Sequence, residues 1–406
     1  MYDGGYTYQY CTINKKISMI PTSFLITGGH ISPAVSVVQE LQKRGITHIH
    51  VVGRKYAFDE ARNAESLEYQ TVTGMGLPFT HLSAPRLNMN NPASFVSYLF
   101  KLIPSIVHAV YILARVKPDV VITFGGYVSV PVCLAAFMLR IPFIIHEQTT
   151  RPGRANMLLS RMARYVCVSW KETAGMFPKG VSEKIVLTGN PVRPEVLKHA
   201  DRKAGQSAVP LLFITGGSTG AHKINRIVAD ALPHLLKKYS IIHQCGDSQY
   251  NDFDYLCTCR AKLPENLRGR YSLSKYLDGA DMQSAMKRAT IIIGRSGANT
   301  IVEVALTGKP MICIPLSIAS RDEQMYNARK LASYGSAIIL EQIGLTAKTL
   351  VDTVDDMAAS YKTYETNAHT ASKAEEFAIH PKAAGALAHI ALGSIGNRFR
   401  VRPTVS

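Results

Sequence analysis

Two segments of the sequence have the make-up of oxyanion-binding turns. Leu25-Ile26-Thr27-Gly28-Gly29-His30 and Phe213-Ile214-Thr215-Gly216-Gly217-Ser218 each run from an apolar stretch into a glycine pair and then a helix, 188 positions apart. A glycine pair lets backbone N–H groups approach a phosphate, and the helix N-terminus adds partial positive charge. Neither copy is a complete GxGxxG or GxxxxGK[ST], so the dinucleotide and P-loop fingerprints are absent. Two such loops facing one cleft suit one substrate on each side. His30 closes the first loop, either as a helix-capping residue or as a general base, because imidazole titrates near neutrality. Glu303 stands one helical turn beyond Asn299 in the segment that starts Arg295-Ser296-Gly297-Ala298. A carboxylate there can accept from both hydroxyls of a ribose, or simply face solvent. Asp322-Glu323-Gln324-Met325-Tyr326-Asn327 mixes carboxylates and amides that suit sugar hydroxyls; its plainer reading is a polar helix start capped by Asp322. Asp252-Phe253-Asp254 has the DxD spacing of a metal holder, but no strand-like run precedes it, so it reads as surface charge.

The elements that must position these groups are short β-branched runs alternating with helical stretches. Runs fall at Phe24 to Thr27, His48 to Val52, Val120 to Phe124, Phe143 to His146, Tyr165 to Val168 and Ile185 to Leu187. A second series falls at Leu211 to Thr215, Ile241 to Gln244, Thr290 to Ile293, Met311 to Ile314 and Ala337 to Leu340. Continuous apolar strands separated by helices predict parallel sheets covered on both faces, hence α/β doubly wound domains. The repeated loop predicts two of them. The reading is an N-terminal extension over 1–21, a first domain over 22–190, a second over 191–371, and a helix over 372–406 that crosses back to the first.

At 406 residues, with 47% hydrophobic and 18% charged residues, the chain is long enough for two cores and is neither disordered nor fibrous. A formal charge of +17 favours an anionic partner. The basic excess is spread along the chain and no nucleic-acid module appears, so nucleic acid is not expected. Seven cysteines with no CxxC pair point to a reducing compartment and no structural zinc. Met1 to Lys16 has no apolar core and so no signal-peptide character. Ala93 to Ala114 is the longest apolar stretch, and Lys101, Pro104 and His108 argue against a membrane span. Two apolar stripes run along it, one through Phe95, Leu99, Leu102, Ile106 and Val110, the other through Val96, Phe100, Ile103, Val107 and Tyr111. That arc is wider than one core contact needs. Either the helix is buried all round or one stripe lies on a membrane surface.

In this order the motifs resemble those of the MurG family of glycosyltransferases. Thr27-Gly28-Gly29-His30-Ile31-Ser32-Pro33 is similar to its TGGHxxP loop, Gly125-Gly126-Tyr127-Val128-Ser129 to GGYVS, His146-Glu147-Gln148 to HEQN, and Gly189-Asn190-Pro191-Val192-Arg193 to GNPVR. Gly216 to Ala221 resembles GGSQGA, and Arg295 to Ala298 with Glu303 resembles RSGAxTxxE. Departures are Leu25 and Ile26 in place of glycines, Thr149 for asparagine, Thr219 for glutamine, and Glu323 at the head of a glutamine pair.

The resemblance implies a GT-B fold and inverting transfer of N-acetylglucosamine from UDP-GlcNAc to an undecaprenyl-pyrophosphate-linked muramyl peptide, with no cofactor and no metal. The alternative is a related transferase with another lipid acceptor or nucleotide sugar. His30 and Glu147 are the implied catalytic residues. Thr27, Gly28, Gly29, His30, Tyr127 and Gln148 are the implied acceptor contacts. Arg193, Gly217 and Ser218 meet the diphosphate, Tyr276 and Leu277 the uracil, and Ser296, Thr300, Glu303 and Gln324 the ribose and sugar. The enzyme is expected at the cytoplasmic face of the membrane as a peripheral protein held by an anionic surface.

Overall fold

The computed structural model describes residues 22–56, 65–85, 92–197, 209–217, 219–277, 279–316 and 322–395. The expected N-terminal extension and Ser218 therefore lie outside the described residues, as do the side chains of Phe95 and Val96 at the head of the two apolar stripes.

The first sheet contains β1 (Ser23–Thr27), β2 (His48–Gly53), β3 (Phe79–His81), β4 (Val120–Thr123), β5 (Phe143–Glu147), β6 (Tyr165–Val168) and β7 (Ile185–Leu187), in the order β3-β2-β1-β4-β5-β6-β7. The second contains β8 (Leu211–Thr215), β9 (Ser240–Gln244), β10 (Tyr271–Ser274), β11 (Ile291–Gly294), β12 (Met311–Cys313) and β13 (Ala337–Ile339), in the order β10-β9-β8-β11-β12-β13. Every strand pairing within these sheets is parallel.

Alternate strand residues feed opposite cores, which is why the apolar runs are unbroken. Phe24 and Ile26 pack on one face of the first sheet, and Leu25 on the other. In the second, Leu212 and Ile214 oppose Phe213. The two strands absent from the sequence reading, β3 and β10, are both sheet edges. An edge strand is half covered, so Phe79-Thr80-His81 and Tyr271-Ser272-Leu273-Ser274 carry no continuous apolar signal.

Strand order reverses between β1 and β4 and again between β8 and β11. Loops diverge at such a switch point and leave a crevice beyond the carboxyl ends of the strands, where ligands bind in open α/β sheets. Both glycine loops open at these two points. The chain then returns: helix Ala383–Ile395 places Leu387, Ala388 and Ala391 against Val37 and Leu41 of helix Ile31–Lys43, in the core of the first sheet.

Helix Pro92–Val116 is long and apolar enough to cross a membrane by composition alone. Its inner face is nevertheless built into the first domain, with Ala109, Ile112 and Leu113 in the core and Ser105 Oγ donating to the Ser83 carbonyl at 2.9 Å. The second apolar stripe faces outward: Phe100 is 71% exposed, Ile103 59% and Val107 63%. Burial all round is therefore excluded. Phe100→Ser should alter stability by no more than about 0.5 kcal/mol, whereas Ile112→Ser should cost several times that. Scanning calorimetry checks this, and a large loss from Phe100→Ser would return the outer stripe to a packed interface.

Candidate active site

The first loop begins where β1 ends. Thr27 does not face the cleft: its hydroxyl is buried and donates to Thr123 Oγ1 at 2.8 Å, within a cluster that includes Ser129. Gly29 has φ +114°, and a Cβ there would lie 3.0 Å from the Gly125 carbonyl, so the β1 and β4 loops can touch only through glycine. Tyr127, beyond Gly126, lies beneath the Arg54 guanidinium, 5.5 Å from its ring centre.

His30 makes no side-chain cap bond to its helix; its Nδ1 lies 3.0 Å from the Phe124 carbonyl oxygen. A carbonyl only accepts, so Nδ1 carries the proton and the lone pair is on Nε2. Solvent reaches the ring through the cleft, yet the surrounding walls desolvate it. That desolvation lowers its pKa, with the Glu147 carboxylate and the Phe124 carbonyl pulling the other way. The result is a neutral imidazole with a free basic nitrogen. Gln148, 1% exposed, donates to the same Phe124 carbonyl at 3.0 Å and is part of the floor.

Glu147 is also buried. Oε1 accepts from the backbone N and hydroxyl of Thr149, at 3.1 and 2.7 Å, and Oε2 from Gly153 N and Asn156 Nδ2, both at 2.8 Å. Both oxygens are saturated, which leaves Glu147 as a fixed negative charge. Its field also reaches Glu323 of the second domain, whose pKa rises to about 7, first through burial and then through Glu147. Thr150 Oγ1 donates to Asn327 Oδ1 at 3.3 Å, so the domains meet here.

On the other wall, Gly217 has φ +78° and its N–H turns back to Thr215 Oγ1 at 3.1 Å. Arg193 and Glu303 form a bidentate pair, Nε to Oε1 at 2.9 Å and Nη2 to Oε2 at 2.7 Å. Ser296 is buried and donates to the Gln324 carbonyl at 2.7 Å, while Gln324 Oε1 accepts from Leu316 N at 3.0 Å. Thr300 is half-buried on the same helix as Glu303, and Tyr276 and Leu277 follow β10 at the far end of the sheet. Asp322 makes no side-chain cap bond, contrary to the plainer reading.

Two residues fall outside expectation. Asp252 is 1% exposed and accepts from Ser248, Asn225 and His222 at 2.7, 2.9 and 2.6 Å, so it is a buried organiser beside the second loop and not surface charge. The surface-charge reading holds for Asp254, which is exposed, and fails for Asp252, which turns inward. Glu68 escaped notice because an acid in the first turn of a helix is ordinarily solvated. Its carboxyl fills the space a Cβ on Gly28 or Gly53 would need, and Oε1 has no hydrogen-bond partner.

Two doubly wound domains, each with a glycine loop at its switch point, define a GT-B fold. Residues 27–168 match the glycosyltransferase family 28 N-terminal domain and residues 211–381 the corresponding C-terminal domain. A UDP-N-acetylglucosamine--N-acetylmuramyl-(pentapeptide) pyrophosphoryl-undecaprenol N-acetylglucosamine transferase of Lachnoclostridium phytofermentans is 34% identical over 83% of this chain and 90% of its own length. A Bacillus cereus enzyme of the same name, numbered 2, is 31% identical over 84% and 91%. The crystal structure of Acinetobacter baumannii MurG superposes with a TM-score of 0.67 at 27% identity, covering 92% of this chain and all of that one. The chain belongs to the MurG family.

Burial raises the Glu68 pKa from 4.5 to about 7. Between those values the folded protein binds more protons than the unfolded chain, so this group makes stability fall as pH rises and then level off. Glu68→Gln should thus be more stable than wild type above about pH 7, with the gain fading as pH falls from about 7 to 4.5 and absent below that. Melting curves across that range check it; a constant difference would mean the carboxyl is solvated.

Proposed function

We propose that the chain transfers N-acetylglucosamine from UDP-GlcNAc to the muramyl sugar of an undecaprenyl-pyrophosphate-linked peptide, with inversion at the anomeric carbon. The relatives' names supply the substrates. The observation that carries the mechanism is the 3.0 Å approach of His30 Nδ1 to the Phe124 carbonyl, from which a basic Nε2 is inferred.

The acceptor hydroxyl oxygen attacks the anomeric carbon and its proton passes to His30 Nε2. The bond from that carbon to UDP breaks as the new one forms, and the electron pair leaves on the β-phosphate. Glu147 stabilises the imidazolium that results, as a charge and not as a second base. The second glycine loop, including Ser218 and Gly217, with Arg193 receives the diphosphate. Glu303 accepts from the ribose hydroxyls, aided by Ser296 and Thr300, and Gln324 with Glu323 meets the sugar. Backbone at Tyr276 and Leu277 meets uracil, while Gly28, Gly29 and Tyr127 meet the acceptor. Donor binding exchanges the Arg193–Glu303 pair for contacts to diphosphate and ribose. The outward stripe of Pro92–Val116 rests on the anionic cytoplasmic membrane face and brings the cleft to its lipid acceptor.

A donor screen with purified protein tests the reading: UDP should be released from UDP-GlcNAc only when the lipid-linked muramyl peptide is present. Preference for another donor or acceptor would overturn it. Glu303→Ala should weaken UDP binding at least about tenfold by calorimetry, from the loss of charge-assisted hydrogen bonds. His30→Ala should lower kcat by ~10²–10⁴ with UDP affinity retained. Near-normal turnover in a folded His30→Ala protein would remove the base assignment.

A further inference from the structure

The N–H groups of the glycine pair in the first loop are already engaged. Gly28 N donates to the Val52 carbonyl at 2.8 Å, and the backbone N–H groups of Gly29 and Arg54 face the Glu68 carboxyl. That carboxyl is 7% exposed and is wedged between the ends of β1 and β2, where a Cβ on either Gly28 or Gly53 would overlap Oε1. A loop with the make-up of an oxyanion cradle thus already holds a carboxyl group of its own chain. Leu25 and Ile26, which stand where the resemblance expects further glycines, are wholly buried in the two cores. An anionic ligand on this wall must therefore be met by a side chain, with charge enough to offset Glu68 when it is ionised.

Arg54 directly follows β2. The sheet order β2-β1-β4 sets it on one side of the glycine loop and Tyr127, beyond β4, on the other. Its guanidinium lies 5.5 Å from the Tyr127 ring centre, so the two side chains meet across the loop. Among the described residues Arg54 forms no ion pair and its guanidinium no hydrogen bond, whereas neighbouring Lys55 is engaged by Glu65 at 3.8 Å and by the Tyr69 ring. An aromatic face steadies a guanidinium and leaves N–H donors at its edge for a ligand.

We propose that Arg54 binds the diphosphate of the lipid-linked acceptor and makes the first-domain wall selective for a diphosphate linkage. The proposal rests on the transfer reaction above and names the residue that recognises the acceptor's linkage. A planar fork of donors can reach oxygens of both phosphates at once. The Glu68 carboxylate beneath repels an anion that arrives without that fork, so the selectivity depends on Arg54. Gly29 and Gly126, which carry no Cβ, let the ligand come close while the arginine supplies the charge.

Calorimetry with geranyl diphosphate and geranyl monophosphate, on the full chain saturated with UDP, tests this. Saturating UDP keeps the second loop filled, so the prenyl ligand reports on the acceptor side. Wild type should bind the diphosphate at least about tenfold more tightly than the monophosphate, and Arg54→Gln should lose that preference with UDP affinity unchanged. Lys55→Gln removes an equal charge one residue on and should change diphosphate affinity by less than about twofold. Arg54→Lys keeps the charge without the fork and should retain only part of the preference. If the glutamine variant melts early, the lysine variant decides the matter. Equal losses from Arg54→Gln and Lys55→Gln, or a wild-type preference in Arg54→Gln or Arg54→Lys, would overturn the assignment. An Arg54-dependent preference in a protein that releases no UDP from UDP-GlcNAc with lipid-linked muramyl peptide would support the diphosphate site and overturn the transfer reading instead.

Discussion

The bidentate pair between Arg193 and Glu303 is the interaction on which the arrangement of the donor wall depends. It joins the segment where the chain leaves the first domain to the helix that follows β11. The crossing is fixed at several points nearby. Asn190 N donates to His380 Nδ1 at 2.7 Å, and Asn190 Nδ2 donates to Asn299 Oδ1 at 2.8 Å. Gly189, with φ +80°, lies so close to His380 that a Cβ would come within 3.1 Å of its backbone. His380 sits where the chain returns to the first domain, so the outward and return crossings meet at one side chain. Trp170 packs edge-on against both His380 and Phe377 in the same seam. A largely buried ion pair gains little net stability, because desolvation offsets its attraction. Its consequence is positional: a guanidinium and a carboxylate are held together, and the proposed function places diphosphate and ribose there.

The opposite wall solves a different problem, which is to keep one histidine neutral and correctly protonated beside a negative charge. The Phe124 carbonyl fixes the proton on Nδ1, desolvation by the surrounding walls lowers the ring's pKa, and under the proposed mechanism Glu147 favours the protonated state once a proton arrives. Saturation of both Glu147 oxygens prevents it from competing for that proton. Thr149, where the resemblance expects asparagine, places its backbone N and hydroxyl 3.1 and 2.7 Å from Glu147 Oε1.

The parallel architecture was legible because strands covered on both faces must be continuously apolar, and β1, β4, β8 and β11 are. The edges were not, since β3 and β10 carry serine, threonine and histidine on their open sides. Residue identity at the loops was equally legible, but direction was not. Thr27 and Gln148 turn inward to satisfy buried polar groups, and Asp252 turns inward while its neighbour Asp254 does not share its partners. The Phe124 carbonyl, which decides the His30 tautomer, has no sequence signature at all. For Pro92–Val116 the pattern gave two apolar stripes, and only packing could decide that Ile112 faces the core and Phe100 the solvent.

The most direct test of this account is a crystal structure of the protein with UDP bound. The Arg193 guanidinium should leave Glu303 for the diphosphate, and the Glu303 carboxylate should accept from the ribose hydroxyls. UDP bound with the Arg193–Glu303 pair intact, and the ribose held elsewhere, would contradict the account and make that pair a structural brace.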